Sequence, residues 1–368
     1  MNPPSPPDGP AARPWLLTLG DPVGIGPEIA VKALAGEARP DTLIVGCPEV
    51  VRRAAGLLDP PPPVAVVTLP EDVVQVPPGA VGVLQAKGLP AGLAALPWGR
   101  IDARAGQAAA LCIEQAVEWV RAGRGQGVVT APVHKEALSA AGVPYPGHTE
   151  MLQALSRAPG GPLPPVRMML ANDQLRVVLV TIHMALRDAV EAIDADRVLE
   201  TVLITHRALQ AFGIERPRIA VAGLNPHAGE GGLFGREEIE HIAPAVARAR
   251  AGGIDARGPF APDTVFMRAR DAAGHPGEFD VVVAMTHDHG LIPVKYLGVE
   301  EGVNVTLGLP FVRTSPDHGT AFDIAGQGRA DAASLQAARR MARRLSRTPA
   351  GVPGGGGAVS GSSAGRCD

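Results

Sequence analysis

Asp280-Val281-Val282-Val283-Ala284-Met285-Thr286-His287-Asp288-His289-Gly290 decides the fold class. After Asp280, residues 281–285 form an apolar run of strand length, rich in β-branched side chains, and the run gives way at once to Thr, His and Asp. The same unit recurs along the chain. Leu16-Leu17-Thr18-Leu19 stops at Gly20, after which Pro27 and Glu28 suit the first turn of a helix through Ile29 to Leu34. Residues 42–45, 127–130, 176–180 and 218–222 are further short apolar runs, whereas residues 103–120 and 330–344 carry apolar side chains at helical spacing. Apolar strands alternating with helices predict an α/β protein with a largely parallel sheet. Pro- and Gly-rich stretches near 59–63, 76–79 and 158–165 read as loops, and no internal repeat is visible.

The chain has 368 residues, 46% hydrophobic and 19% charged, enough for one large domain or about two ordinary ones. Lys plus Arg number 34 and Asp plus Glu 37, so a net charge of −3 offers no basic surplus for nucleic acid or an anionic membrane. No apolar run reaches the ~18 residues of a membrane span. Cys47, Cys112 and Cys367 are too few and too scattered for a disulfide framework or a zinc finger. With no signal peptide, these features predict a reducing, cytoplasmic setting. Residues 1–14 and 348–368 are dominated by Pro, Ala, Gly and Ser, and are expected to stay disordered.

Ligands of open α/β sheets bind beyond the carboxyl ends of the strands. Three apolar strands are each followed, at a similar offset, by a histidine: His183, His227 and His287. Any one of them could simply cap its strand. Their shared placement favours three neutral imidazoles converging on a divalent ion with positions left open for substrate. His206, His241 and His275 fall in helices or a loop and read as ordinary surface residues. The pair Gly24 and Gly26 lacks the third glycine of a dinucleotide fingerprint and fits a tight turn as well as a ligand contact. Gly147-His148-Thr149-Glu150 precedes a helical run, so Thr149 reads as an N-cap, with His148 and Thr149 placed for an anion at a helix start. Lys295, Asn304 and Arg313 interrupt apolar sequence, where a cation needs either a salt-bridge partner or a bound anion.

Taken together, Gly20 to Glu28, Pro146 to Glu150, Leu224 to Glu230, Gly258-Pro259 with Asp263 to Phe266, and Gly302 to Gly319 resemble the 4-hydroxythreonine-4-phosphate dehydrogenases from about Leu16 to Ala342. The resemblance implies an isocitrate/isopropylmalate-dehydrogenase-like α/β fold. A catalytic unit would span residues 15–347, with subdomains at roughly 15–133 plus 308–347 and at 134–307. It implies a homodimer with the active site at its interface, and a divalent metal (zinc, or Mg, Co or Mn in its place) on His183, His227 and His287. Substrate contacts would come from His148, Thr149, Lys295, Asn304 and Arg313, with Asp263 and Lys295 as catalytic groups. NAD or NADP would bind without the usual fingerprint, with Gly24, Gly26, Asp317 and His318 as candidates. Thr286-His287-Asp288-His289-Gly290 differs from the family's usual Tyr-His-Asp-Gln-Gly by His289.

The implied reaction oxidises the secondary alcohol of 4-phosphohydroxy-L-threonine. It gives 2-amino-3-oxo-4-phosphooxybutanoate, which decarboxylates to 3-amino-2-oxopropyl phosphate on the route to pyridoxine phosphate. Alternatives are a sister dehydrogenase of threonate or erythronate 4-phosphate or of a dihydrodiol, a phosphate acyltransferase sharing the broad fold, and a non-catalytic metabolite-binding protein.

Overall fold

The computed structural model describes residues 13–298 and 301–346. The terminal segments expected to be disordered lie outside these, apart from Arg13 and Pro14. Twelve strands make one sheet: β1 (Trp15–Thr18), β2 (Thr42–Gly46), β3 (Val64–Val67), β4 (Val81–Gln85), β5 (Gly127–Thr130), β6 (Arg167–Ala171), β7 (Arg176–Leu179), β8 (Ile219–Ala222), β9 (Ala256–Phe260), β10 (Val281–Ala284), β11 (Val303–Leu307) and β12 (Val312–Pro316). The α-helices are α1 (Gly26–Leu34), α2 (Pro48–Ala55), α3 (Ala103–Arg121), α4 (Lys135–Ala140), α5 (His148–Leu155), α6 (Leu186–Glu191), α7 (Ala195–Ala211), α8 (Ala243–Ala251), α9 (Val265–Ala269), α10 (His287–Tyr296) and α11 (Ala333–Leu345). The expected α/β class holds.

The strand order is β3-β4-β2-β1-β5-β12-β11-β6-β7-β10-β8-β9. Pairing is parallel from β3 through β12 and again from β7 through β9. Between them, β12–β11, β11–β6 and β6–β7 are antiparallel. The sheet is therefore largely parallel, as expected, but its two parallel halves run in opposite directions across an antiparallel seam. Helices cover both faces, with α3 and α11 against the first half and α7 and α10 against the second. That double cover is why Leu16, Leu17, Val128, Val129, Val177, Val178, Val282 and Val283 are all fully buried, and why these strands read as unbroken apolar runs. Among the described residues no helix is long and apolar enough to cross a membrane, and Cys47 and Cys112 are free thiols.

One ion pair closes the first half. Glu28 lies in the first turn of α1, as expected, but it does more than answer the helix dipole. Its fully buried carboxylate accepts from Lys32 Nζ at 2.8 Å, from the Ala330 amide at 2.7 Å and from the Gly328 amide at 3.2 Å. Lys32 Nζ in turn donates to the carbonyls of Gly328 and Ala330 at 2.8 and 2.7 Å. The loop leading into α11 is thus pinned to α1. Glu28→Ala would strand the lysine and two amides, and removing one partner of such a buried pair costs about 3–5 kcal/mol. Urea unfolding of the variant should show a loss of that size; a midpoint unchanged from the parent would remove Glu28 from this role.

Candidate functional site

β7, β10 and β8 lie side by side and parallel, so the segments after them start from one rim of the sheet. His183 and His287 follow the adjacent strands β7 and β10, and their rings stand 5.4 Å apart, centroid to centroid, tilted by 45°. His183 sits at a left-handed φ of 45°, a conformation unusual for a side-chain-bearing residue and often found at functional positions. Burial, and then the neighbouring His287, push the His183 pKa below the ordinary imidazole value. A neutral imidazole is the form that ligates metal.

His227 follows β8, on the far side of β10. Residues 227–231 run through φ values of 53°, 55°, 79°, 44° and 66°, a left-handed turn that three non-glycine residues adopt against their preference. The buried carboxylate of Glu238 holds it. Its Oε1 accepts from the Leu224 and Asn225 amides, both at 2.7 Å, and its Oε2 from Asn225 Nδ2 at 2.9 Å. His227 consequently faces an apolar cavity of about 640 Å³ with Asp263, Phe266, His289, Ile292 and Tyr296, while His183 and His287 line a neighbouring one of about 310 Å³. Asp288 and His289 line both. Among the described residues of one chain, no three His, Cys, Asp or Glu side chains form a complete metal set.

The donor chemistry nonetheless suits a cation. His287 Nδ1 lies 2.8 Å from Asp288 Oδ1, and His227 Nδ1 lies 3.0 Å from Glu230 Oε1. A carboxylate on Nδ1 fixes the tautomer and leaves Nε2 as the free lone pair, the usual outer support of a ligating histidine.

Arg313 projects from β12 into the interior and is 3% exposed. Its Nη1 donates to Thr306 Oγ1 at 3.0 Å and its Nη2 to Thr130 Oγ1 at 2.7 Å, while Nε is buried without a partner. No carboxylate pairs with it among the described residues. Burial lowers its pKa to about 10, so it stays a cation at neutral pH. His148, the first residue of α5, lies close enough to feel that charge. Burial first, and then Arg313, push its pKa well below the ordinary value, and its Nε2 is sealed without a partner. The expected cap needs correcting: the N-cap of α5 is Gly147, in an extended conformation with φ −178°, and Thr149 is the second helical residue. No side chain caps α5, so its first amides are left unanswered by side chains.

The remaining expected residues spread around this centre. Asn304 lies on β11 two residues before Thr306 and opposite Ser315, on the same strand face as Arg313. Lys295 ends near the last turn of α10, where its Nζ meets Asp317 Oδ2 at 2.7 Å, joining an expected substrate contact to an expected cofactor contact. His318 is exposed, with Nδ1 3.0 Å from its neighbour's carbonyl. Gly24 and Gly26 are explained by packing. A Cβ at 24 would stand 3.0 Å from Thr320 Cβ, and one at 26 would stand 2.6 Å from the Leu19 carbonyl. Gly24 lets loop 20–26 close on loop 317–322, which it also meets through the Ile25 amide and the Thr320 carbonyl, and Gly26 lets α1 start against the end of β1.

Sequence reading did not anticipate Glu238, the two threonines that hold Arg313, or Lys135 and Glu150, whose charges act on His183. Lys135 ends the Ala131 to Lys135 segment that follows β5. Its position after a strand was the available signal.

A family profile described as Pyridoxal phosphate biosynthetic protein PdxA matches residues 38–342. A 4-hydroxythreonine-4-phosphate dehydrogenase of Beijerinckia indica subsp. indica is 52% identical over 330 residues, covering 89% of this chain and 93% of that protein. A D-threonate 4-phosphate dehydrogenase of Cupriavidus necator is 46% identical, covering 88% and 95%. The solved 4-hydroxythreonine-4-phosphate dehydrogenase of Klebsiella pneumoniae superposes with a TM-score of 0.83 at 41% identity, covering 91% and 98%.

Asp21, beside the first-strand loop, is fully buried. Its Oδ1 accepts from the Val23 amide at 3.0 Å, and Oδ2 has no partner. Burial raises its pKa from 3.8 to about 6, against the opposing pull of the Val23 amide and His134. A carboxyl that holds its proton more tightly folded than unfolded stabilises the fold at low pH, and that stability is lost as pH rises from about 4 through 6. Asp21→Asn should therefore gain on the parent as pH goes from 4.5 to 7, by on the order of 2–3 kcal/mol. Denaturant titrations at several pH values would read the difference, and a constant offset would contradict it.

Proposed function

The chain belongs to the PdxA family of dehydrogenases, and we propose that it oxidises 4-phosphohydroxy-L-threonine with NAD or NADP in pyridoxine phosphate biosynthesis. The observation that carries this reading is Arg313, a buried guanidinium that no carboxylate among the described residues answers, beside the uncapped start of α5. An enclosed cation costs several kcal/mol unless an anion answers it, and a phosphate does so while helix amides complete its shell. His148, Thr149 and Asn304 would add polar contacts around it, and Lys295, held by Asp317, would contact another part of the substrate. The higher identity to a 4-hydroxythreonine-4-phosphate enzyme than to a D-threonate 4-phosphate enzyme favours the amino substrate.

His183, His227 and His287 would hold a divalent metal. A cation bound there supplies Lewis acidity that makes the substrate hydroxyl easier to deprotonate. The chain's own residues do the rest. The phosphate, fixed at α5, sets the distance of the reacting carbon from the imidazoles. Asp263, exposed in the cavity of His227, would orient the amine or carry the hydroxyl proton away. A bound nicotinamide nucleotide would supply the hydride acceptor for the alcohol carbon, and the 3-oxo acid so formed would lose carbon dioxide. Loops 20–26 and 317–322 would bind the nicotinamide nucleotide through Gly24, Gly26, Asp317 and His318. Subdomains 15–133 with 308–347, and 134–307, would flank the substrate.

The separation of His227 from the other two imidazoles within one chain supports an active site completed in a homodimer. Met184, Phe234, Met267, Ile292 and Tyr296 are exposed around these cavities, Tyr296 at 90%, as a surface that a second copy would cover. The absence of a membrane-spanning helix among the described residues agrees with a cytoplasmic enzyme.

His183→Ala and His287→Ala should each lose bound metal and lower kcat/KM at least about a thousandfold, roughly 4 kcal/mol of transition-state stabilisation. Metal analysis and nicotinamide reduction on 4-phosphohydroxy-L-threonine, D-threonate 4-phosphate and erythronate 4-phosphate provide the measurement. Full activity and metal content in either variant would overturn the metal assignment, and a preference for threonate would move the enzyme to the sister activity. Ile292→Asp should yield a monomer by light scattering with little metal; a metal-replete, active monomer would refute the shared site.

A further inference from the structure

A phosphate monoester carries about −1.5 to −2 charges at pH 7. The site just described meets it with fewer. Arg313 contributes one positive charge, and a helix start about half of one. His148 contributes none, because burial and Arg313 keep it neutral at pH 7. Lys295 already has a carboxylate partner in Asp317, and Lys32 in Glu28. Glu150 worsens the balance. Its Oε2 lies 3.6 Å from where a Cβ at Gly147 would stand, so a second negative charge borders the start of α5.

Lys135 borders the same glycine. Its Cε lies 3.7 Å from that Cβ position, so the lysine stem passes beside the N-cap of α5. It is exposed, and among the described residues its ammonium makes no hydrogen bond and no ion pair. Its charge also reaches His183, so the lysine is near both the start of α5 and the paired imidazoles. Its position in its own helix is unfavourable: Lys135 is the first residue of α4, where the helix dipole favours acidic and disfavours basic side chains. Local helix stability therefore gives no reason for a lysine there, whereas an anion at the neighbouring helix start does. A compact ammonium on a flexible stem suits phosphate as a point charge.

We infer that Lys135 is a further substrate-positioning residue, supplying the second positive charge to the substrate's phosphate at the start of α5 and thereby selecting phosphorylated over unphosphorylated substrate. The inference rests on the reading of Arg313 and α5 as the phosphate site. Binding of inorganic phosphate to the full-length protein, followed by thermal shift, tests the two separately. Lys135→Met should weaken phosphate binding and raise KM for 4-phosphohydroxy-L-threonine ten- to a hundredfold, with bound metal unchanged. The KM for unphosphorylated 4-hydroxy-L-threonine should stay within about threefold of the parent, and Lys135→Arg should recover most of the loss. If the parent protein binds phosphate and Lys135→Met binds it equally well, or if both substrates suffer alike, Lys135 has no such role and the Arg313 reading stands. If the parent itself gains no stability from phosphate, the phosphate site and the role of Lys135 fall together.

Discussion

Arg313 lies over one face of the sheet on β12, and the groups that meet its guanidinium are the hydroxyls of Thr130 on β5 and Thr306 on β11. Three adjacent strands thus converge on one cation. Two neutral acceptors satisfy hydrogen bonds without cancelling charge, and the third nitrogen is left bare. A structural arginine in the same chain looks different: Arg339, equally enclosed, is answered by Glu37 and Asp41. The unmatched charge on Arg313 is what makes an anion-requiring site of the surrounding helix start and histidine, since such a cation is stabilised far more by a ligand's charge than by dipoles alone.

The second constraint is backbone strain. Left-handed backbone at His183 and at residues 227–231 is held against local preference by neighbouring structure, and at 227 the holding group is the buried Glu238. Parallel neighbours bring the three histidines to one rim, but the turn after β8 decides where the last one faces. Rim position and side-chain direction are separate quantities, and the left-handed turn controls only the second.

Much of this was legible in the chain because its signals are local. Val281 to Ala284 or Val177 to Leu179 can hardly be other than buried strand, and a polar residue directly after such a run lies at a strand's end. Arg313 and Asn304 stood out because polar groups in apolar sequence must find partners. The seam was harder to read. Val303, Val305 and Leu307 alternate with Asn304 and Thr306, and Arg313 to Ser315 are polar, so β11 and β12 resemble loop by composition although they are central strands on which Asn304, Thr306, Arg313 and Ser315 share one face while Thr314 bonds α11. Glu238 and Glu28 were not legible as organising groups, since the amides they bind lie as few as 13 and as many as 302 residues away. Thr149 looked like a cap by residue type, but an extended glycine before His148 already ends the helix.

Strand order has a bearing on how the molecule is made. β12 pairs with β5 on one side and with β11 on the other, yet it is the last of the strands among the described residues. As the polypeptide leaves the ribosome, residues 308–316, a connection and one strand, decide whether there is one sheet or two. Until residue 316 emerges, β5 and β11 each present an open, unpaired edge, the kind of surface through which nascent chains stick to one another. Completion of this sheet therefore waits for residues 312–316, and a ribosome pause or truncation ahead of Val312 would leave two half-sheets with exposed margins.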